Sequence, residues 1–348
     1  MITETDRGTG AIPDHADNRD LHWGHEIGMI GEPFDWKKGY DIEDELRDVL
    51  NNSKFKLPVN DQNGSGSCGG QAASKKGEAI SAIANGVFKR KSAKYPYAQV
   101  FVPPAGSAGR ELCRIATQQG FGNEVDTLSY ENGKPPTEAF MQRKQDITEI
   151  AVKNAGIDKA FAYADVAINI ESVAQAIRDT KGVIIGIAGQ NNGTWRTKFP
   201  KPPTTENPDD VWRHWVYAGK AKIINGKKYI GFINSWGEDT GDDGWQWIGE
   251  DYFKSVFGGV YKSQGIFNVW TMVYNIWGDT KLFDRVLRYR NRGSDVAKLQ
   301  ELLGIHNDGI FGSITLRSVK NFQTKYGLKP DGIVGPKTQD KLLEIFKK

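Results

Sequence analysis

Only two cysteines, Cys68 and Cys113, occur in the 348 residues. That rules out a disulfide framework, so packing must hold the fold, and a single Cys68–Cys113 bond is the one bridge the count allows. Long hydrophobic runs are missing too. The longest, Gly182 to Gly189, falls far short of the roughly 20 residues a membrane-spanning helix needs, so no membrane span is expected. The opening MITETDRGTG lacks a basic n-region and an apolar stretch, so no secretory signal is expected. Synthesis in the cytoplasm is the corresponding expectation, with release by another route if the protein acts outside. There is no phosphate-binding loop and no zinc pattern. His22 and His25 have no third ligand near them in sequence, so neither a metal nor a cofactor is expected.

What is present fits a soluble globular chain with 38% hydrophobic and 26% charged residues. The net charge of +3 is unevenly spread. From Lys281 to Lys348 there are 14 Lys+Arg against 7 Asp+Glu, a net of +7, which leaves −4 on the rest. A basic tail beside an acidic body seeks an anionic surface, either a nucleic acid or a bacterial wall. The tail has no aromatics interleaved on a matching face, so nucleic acid is not the expected partner. The short basic run Lys89 to Lys94 reads as a solvated loop.

The first 56 residues read as an N-terminal extension, polar and turn-rich, with one short helix near Ile42 to Leu50. After a glycine-rich turn, Ala72, Ala79, Ile80 and Ile83 recur at helical spacing up to the stop signal Asn85-Gly86. Further helices are predicted over Ser107 to Gln119 and Glu171 to Thr180, the latter leading into a strand over Val183 to Ala188. A proline-rich loop, Asn191 to Asp210, precedes strands over His214 to Ile224, Lys228 to Ser235 and Gly244 to Ile248, with an Asn225-Gly226 hairpin turn. Helices first and antiparallel strands later describe an α+β domain over 57–274. A linker over 275–284 and a small all-α domain over 285–348 complete the layout, and a monomer is expected.

Cys68 lies in QNGSGSCGGQAAS, where a helix is predicted to start. The dipole and free N–H groups of a helix start lower a thiol pKa. Gly64, Gly66, Gly69 and Gly70 keep the backbone bare for a substrate chain. Gln62 is placed to offer an amide N–H to a developing oxyanion. His214 opens one predicted strand, and Asn234 opens Asn234-Ser235-Trp236-Gly237 at the end of the next. Neighbouring strands can set His214 between Cys68 and Asn234, with Trp236 shielding the His–Asn bond from water.

Gln62, Cys68, His214 and the Asn-Ser-Trp-Gly run, in this order, resemble the papain family of cysteine peptidases over roughly Leu57 to Trp270, and GAIPDHADNRD resembles a signature of its bacterial members. The resemblance implies a two-lobed fold, one helical lobe and one antiparallel sheet or barrel lobe. It also implies Cys68 as nucleophile, His214 as general base and acid, Asn234 as orienting residue and Gln62 as oxyanion donor with the Cys68 N–H. Trp236, Ser235 and Gly237 would support them, and Gly66, Gly69, Gly106, Ser107 and Trp215 would line the substrate cleft. The sequence departs from the family at Gly69, where many relatives carry a bulky residue. It departs again at Trp215, where a small residue is common, and at Ser65, which replaces a disulfide cysteine. A related transferase or wall amidase would lack the Gln-before-Cys and Asn-Ser-Trp-Gly pair.

In the tail, DGIFGSIT (Asp308 to Thr315) recurs as DGIVGPKT (Asp331 to Thr338), each before a helical pattern. With RGSDVAKLQELLG ahead of it, this resembles the three-helix peptidoglycan-binding domain of wall hydrolases. The resemblance places wall contact at Asp308, Gly309, Gly312 and Thr315 and at Asp331, Gly332, Gly335 and Thr338. The reading is thiol-dependent hydrolysis of protein or peptide substrates, held at bacterial peptidoglycan as a wall protease or phage-type lysin. The alternative is an inactive papain-like scaffold that only binds walls.

Overall fold

A computed structural model describes residues 9–17, 20–23, 33–131, 133–204, 210–257, 263–274, 282–283 and 285–346. His25 and most of the 275–284 linker lie outside the described residues. The chain divides into two units, Met1–Asp20 with Gly31–Tyr274, and Leu21–Ile30 with Asn275–Lys348.

The first unit begins with the short strands β1 (Ala11–Ile12) and β2 (Tyr40–Asp41). Asp41 caps α1 (Ile42–Val49) by accepting from the Glu43 N–H, and the helix turns Ile42 and Leu46 into the core. The long helix α2 (Cys68–Asn85) is buried on nearly every side, which explains its run of alanines, glycines and serines. Helix α3 (Lys94–Val100), strand β3 (Ser107–Ala108) and helix α4 (Gly109–Gln118) complete the helical half. The helix predicted to open at Ser107 opens at Gly109 instead. Ser107 and Ala108 are drawn into extended backbone because they pair, in parallel, with Ala11 and Ile12 of β1.

After α5 (Glu138–Met141) and α6 (Glu149–Ala155) come β4 (Ala160–Asp165), α7 (Ile170–Thr180), β5 (Val183–Gln190), β6 (Val211–Ile224), β7 (Lys227–Ile233) and β8 (Trp245–Gly249). Helix α8 (Glu250–Lys254), the small pair β9 (Val256–Phe257) and β10 (Ser263–Gln264), and β11 (Ile266–Tyr274) close the unit. The main sheet runs β4-β11-β5-β6-β7-β8, with β2 added beside β6, and its pairs are antiparallel. Strand β6 is its hub: residues 211–218 pair with β5, and residues 217–224 pair with β7. Helix α2 packs against β6, so the start of α2 and the first half of β6 share one core. This is an α+β, papain-like arrangement of a helical lobe and an antiparallel sheet lobe.

The second unit contains α9 (Ser294–Leu302), α10 (Ser313–Lys325) and α11 (Pro336–Phe346), packed around Val296, Leu299, Phe311, Val319, Val334 and Leu342. The two repeats fold identically. Gln300 on α9 donates Nε2 to Asp308 Oδ1, Ile310 O and Thr315 Oγ1, while its Oε1 accepts from the Gly309 N–H. Gln323 on α10 does the same with Asp331, Ile333, Thr338 and the Gly332 N–H. Gly309 and Gly332 both sit at positive φ, near 69° and 80°, which favours glycine. The side chains of Asp308, Thr315, Asp331 and Thr338 are therefore committed to these inward bonds. Thr315 and Thr338 are buried as well, while Asp308 is exposed and Asp331 half-buried, so the motif builds the turns and leaves its aspartates at the surface.

Gln323→Ala removes all four contacts and leaves a buried turn unsatisfied. It should destabilise the second unit by about 2–4 kcal/mol. Calorimetry of the whole chain should show that unit's transition at lower temperature, and hydrogen exchange should speed up at the Gly332 amide more than at Gly309.

Candidate active site

Cys68 is the first residue of α2, and its side chain is fully buried. The preceding loop is tied to the segment after β7. Gln62 N donates to Ser235 O at 2.9 Å, Gly237 N donates to Asn60 O at 3.1 Å, and Asp61 and Trp236 form an antiparallel bridge between them. The Gln62 side chain is buried in the same seam. Its Oε1 accepts from Ser235 Oγ at 2.5 Å, which turns its Nε2 toward the nucleophile loop, where it donates to Ser65 O at 2.7 Å. Ser65 also accepts from and donates within this loop, so the serine in place of a cysteine serves as a hydrogen-bonding brace.

His214 lies on β6 opposite Ile187 of β5, fully buried. Its Nε2 lies 2.9 Å from Asn234 Oδ1, and since an amide oxygen only accepts, Nε2 carries the proton. The other ring nitrogen, Nδ1, is buried with no hydrogen-bond partner. Three indoles enclose the pair. Trp236 stacks 5.0 Å from the imidazole at a tilt, Trp212 stands edge-on to it, and Trp195 meets both tryptophans. Burial in this box pushes the His214 pKa down to about 4, against the opposing pull of the Asn234 bond.

The next residue along β6 meets the cysteine. The backbone N–H groups of Trp215, Gly10 and Gly69 face the sulfur, yet burial outweighs them and pushes the Cys68 thiol up to about 11. Burial thus favours the neutral form of both the thiol and the imidazole.

The structure sorts the expected cleft residues. Gly66 and Gly106 converge on one carboxylate: Gly66 N donates to Glu138 Oε2 at 2.5 Å, Tyr97 OH to Glu138 Oε1 at 2.7 Å, and Gly106 N to Tyr97 OH at 3.0 Å. Trp215, expected at the cleft, is instead core. Its indole packs against Gly69 and Gly109, and its Nε1 donates to Ser107 O at 3.0 Å. Position 69 is closed to a side chain chiefly by Ser107 Oγ and Leu112, which a Cβ there would meet at 2.4 and 2.7 Å, with the Trp215 ring behind them at 3.3 Å.

Sequence reasoning missed three participants. Glu138 carries no motif. Gly10 lies so close to the nucleophile loop that a Cβ there would meet Gly66 O at 2.2 Å, while Ser107 N donates to its carbonyl. Gln246, buried on β8, accepts from Asn234 Nδ2 at 2.7 Å. A polar residue amid the buried run Trp245-Gln246-Trp247-Ile248 was the available signal.

Strand β1 thus lies against the cysteine and helps to bury it. Gly10→Val cannot seat beside Gly66, so it should open the site. At pH 7, iodoacetamide should alkylate Cys68 several-fold faster in Gly10→Val than in the native chain. The native rate should keep climbing with pH without a plateau before about pH 11, because only the thiolate reacts.

Comparison with known proteins agrees with both units. Residues 292–342 match the family described as "Putative peptidoglycan binding domain". A spore cortex-lytic enzyme of Oceanobacillus iheyensis is 36% identical over 83 residues, 21% of this chain and 30% of its own length. One from Halalkalibacterium halodurans is 38% identical over 65 residues, 17% of this chain and 20% of its own length. The chain thus spans under a third of these curated relatives. Among solved structures, xylellain, a cysteine protease from Xylella fastidiosa, superposes with a TM-score of 0.59 at 19% identity, over 77% of this chain and 97% of its own. The ragweed pollen cysteine protease Amb a 11, in its proform, gives 0.52 at 18% identity over 71% and 67%. A fold shared with papain-like cysteine proteases is joined in this chain to a C-terminal domain of the peptidoglycan-binding type.

Proposed function

We propose that the chain hydrolyses peptide bonds through Cys68, His214 and Asn234 and is held at bacterial peptidoglycan by its C-terminal domain. The observation that carries the reading is the bare, buried Nδ1 of His214, with its Nε2 proton fixed on Asn234 and the neighbouring Trp215 N–H aimed at the Cys68 sulfur. An imidazole so held has one basic nitrogen, on the side away from Asn234. In the reaction Nδ1 takes the thiol proton, and the sulfur attacks the substrate carbonyl carbon. The oxyanion is met by the Cys68 backbone N–H and the Gln62 amide. The proton then passes from His214 to the leaving amine, and water, deprotonated by Nδ1, splits the thioester. Gln62 is suited to this role because Ser235 Oγ holds its oxygen, leaving nitrogen toward the loop.

Wall attachment is supported by the 292–342 family match and by the +7 charge of residues 281–348. The substrate is either a wall protein or the peptide part of peptidoglycan. Mass spectrometry of products from purified peptidoglycan and from casein separates the two.

Cys68→Ala should abolish hydrolysis on either substrate, and His214→Ala should be as damaging, since groups that act as a unit fail together. Asn234→Ala should be milder, because it orients and does not react. Retention of more than a few per cent of the native rate by Cys68→Ala would sink the assignment. A fragment of residues 285–348 should sediment with insoluble walls. That binding should weaken as salt rises, because surface charges are screened within about 10 Å at 0.1 M. Recovery of the fragment in the supernatant at low salt would remove the targeting half of the proposal.

A further inference from the structure

Gln246 sits at the centre of β8, opposite Phe232 of β7, with none of its surface exposed. An amide buried there without partners would lose its hydration uncompensated, so its hydrogen-bonding groups need partners in the protein. Its Nε2 donates to two backbone carbonyls of the loop before β6, Trp195 O at 2.7 Å and Thr197 O at 2.7 Å. Carbonyls only accept, so the NH₂ end of Gln246 must face them and the amide has one orientation. Its Oε1 is thereby aimed at Asn234, from whose Nδ2 it accepts at 2.7 Å. Asn234 is then oriented in turn. Its Oδ1 faces His214 Nε2 at 2.9 Å and the Ser235 N–H at 2.8 Å, two donors on one oxygen.

We propose that Gln246 is a positioning residue for His214, acting through Asn234 to keep the imidazole proton on Nε2 and Nδ1 bare. The chain of direction starts from two fixed main-chain oxygens and passes through two side-chain amides to the ring. Each amide has a donor end and an acceptor end, so a reversal at any step would set donor against donor or oxygen against oxygen. The Ser235 N–H restrains the Asn234 oxygen, and Gln246 restrains its nitrogen, so the two ends of the asparagine are held independently. The same bonds attach the Trp195 segment to the site, which keeps the Trp195 indole against Trp212 and Trp236 around the imidazole. This role rests on the reading of Asn234 as the orienting group of a Cys–His peptidase.

The test uses the full chain with Gln246→Leu, Gln246→Glu, Asn234→Ala and the double variant Asn234→Ala/Gln246→Leu. Gln246→Leu should lower kcat about tenfold to a hundredfold, the scale of a misplaced catalytic group, with KM within about twofold. The double variant should be no slower than Asn234→Ala alone, because Gln246 acts only through Asn234. Gln246→Glu distinguishes positioning from support. Its carboxylate repels the two carbonyls, whereas its protonated form can donate to one and accept from Asn234. Its activity relative to the native chain should therefore rise as pH falls. Nitrogen-15 NMR of labelled histidine should show a single Nε2–H tautomer for His214 in the native protein and its loss or mixing in Gln246→Leu. If Gln246→Leu fails to fold, the pH dependence and ring spectrum of Gln246→Glu decide. A native kcat together with an unchanged tautomer in the variants would overturn the proposal. A native chain that cleaves nothing, yet shows the tautomer shift in the variants, would retain Gln246 as the positioning residue and remove the peptidase reading instead.

Discussion

Two main-chain hydrogen bonds, Gln62 N to Ser235 O and Gly237 N to Asn60 O, carry the geometry on which the site depends. They join a loop ahead of α2 to a loop after β7, segments that belong to different lobes and lie far apart in the chain. Closing so long a loop costs conformational entropy that the large shared core of α2 and β6 must offset. Once closed, the seam leaves little freedom. Gln62 is turned by Ser235, Ser235 donates its N–H to Asn234, and Asn234 lies two residues from the bridge itself. The side-chain network is therefore referenced to backbone on both sides of the seam.

The second determinant is dryness. Two indoles against the His214 ring, backed by Trp195, and a cysteine with no exposed surface disfavour charge on both groups. A protonated imidazole would have donors on both nitrogens, and the tautomer would not matter. A neutral one has a single lone pair, so the tautomer decides whether that lone pair lies toward Asn234 or away from it. Burial thus makes the amide chain behind Asn234 consequential, and Gly10, just ahead of β1, helps to enclose the buried Cys68 sulfur. The carboxylate of Glu138, bonded to Gly66 N, adds a fixed negative charge that also disfavours the thiolate.

The sequence made the α+β class legible because long elements leave periodic signals: the small-residue helix of Cys68–Asn85, the apolar run of β5, the Asn-Gly turn between β6 and β7. Two-residue strands leave none, and so β1, β2 and β3 were invisible and the helix at Gly109 was started two residues early. The neighbourhood of Cys68 and Asn234 was marked by residue types with few structural uses in that order. Glu138, Gly10 and Gln246 reach the site by long-range packing, and no spacing rule relates them to it. The tail gave the opposite lesson. In its strongest motif, expected as a wall-contact surface, the side chains also hold the turns together. The repeated aspartates, glycines and threonines recur because two glutamines, 23 positions apart, need the same cage.

The packing around position 69 limits what can stand beside Cys68. Trp215 is fully buried, and its ring lies behind Ser107 Oγ and Leu112 at the edge of the space a side chain on residue 69 would need. A large residue at 69 would collide with Ser107 Oγ and Leu112, and a small residue at 215 would leave a void the size of an indole in the core. A single substitution at either position therefore leaves the core overfilled or hollow beside Cys68.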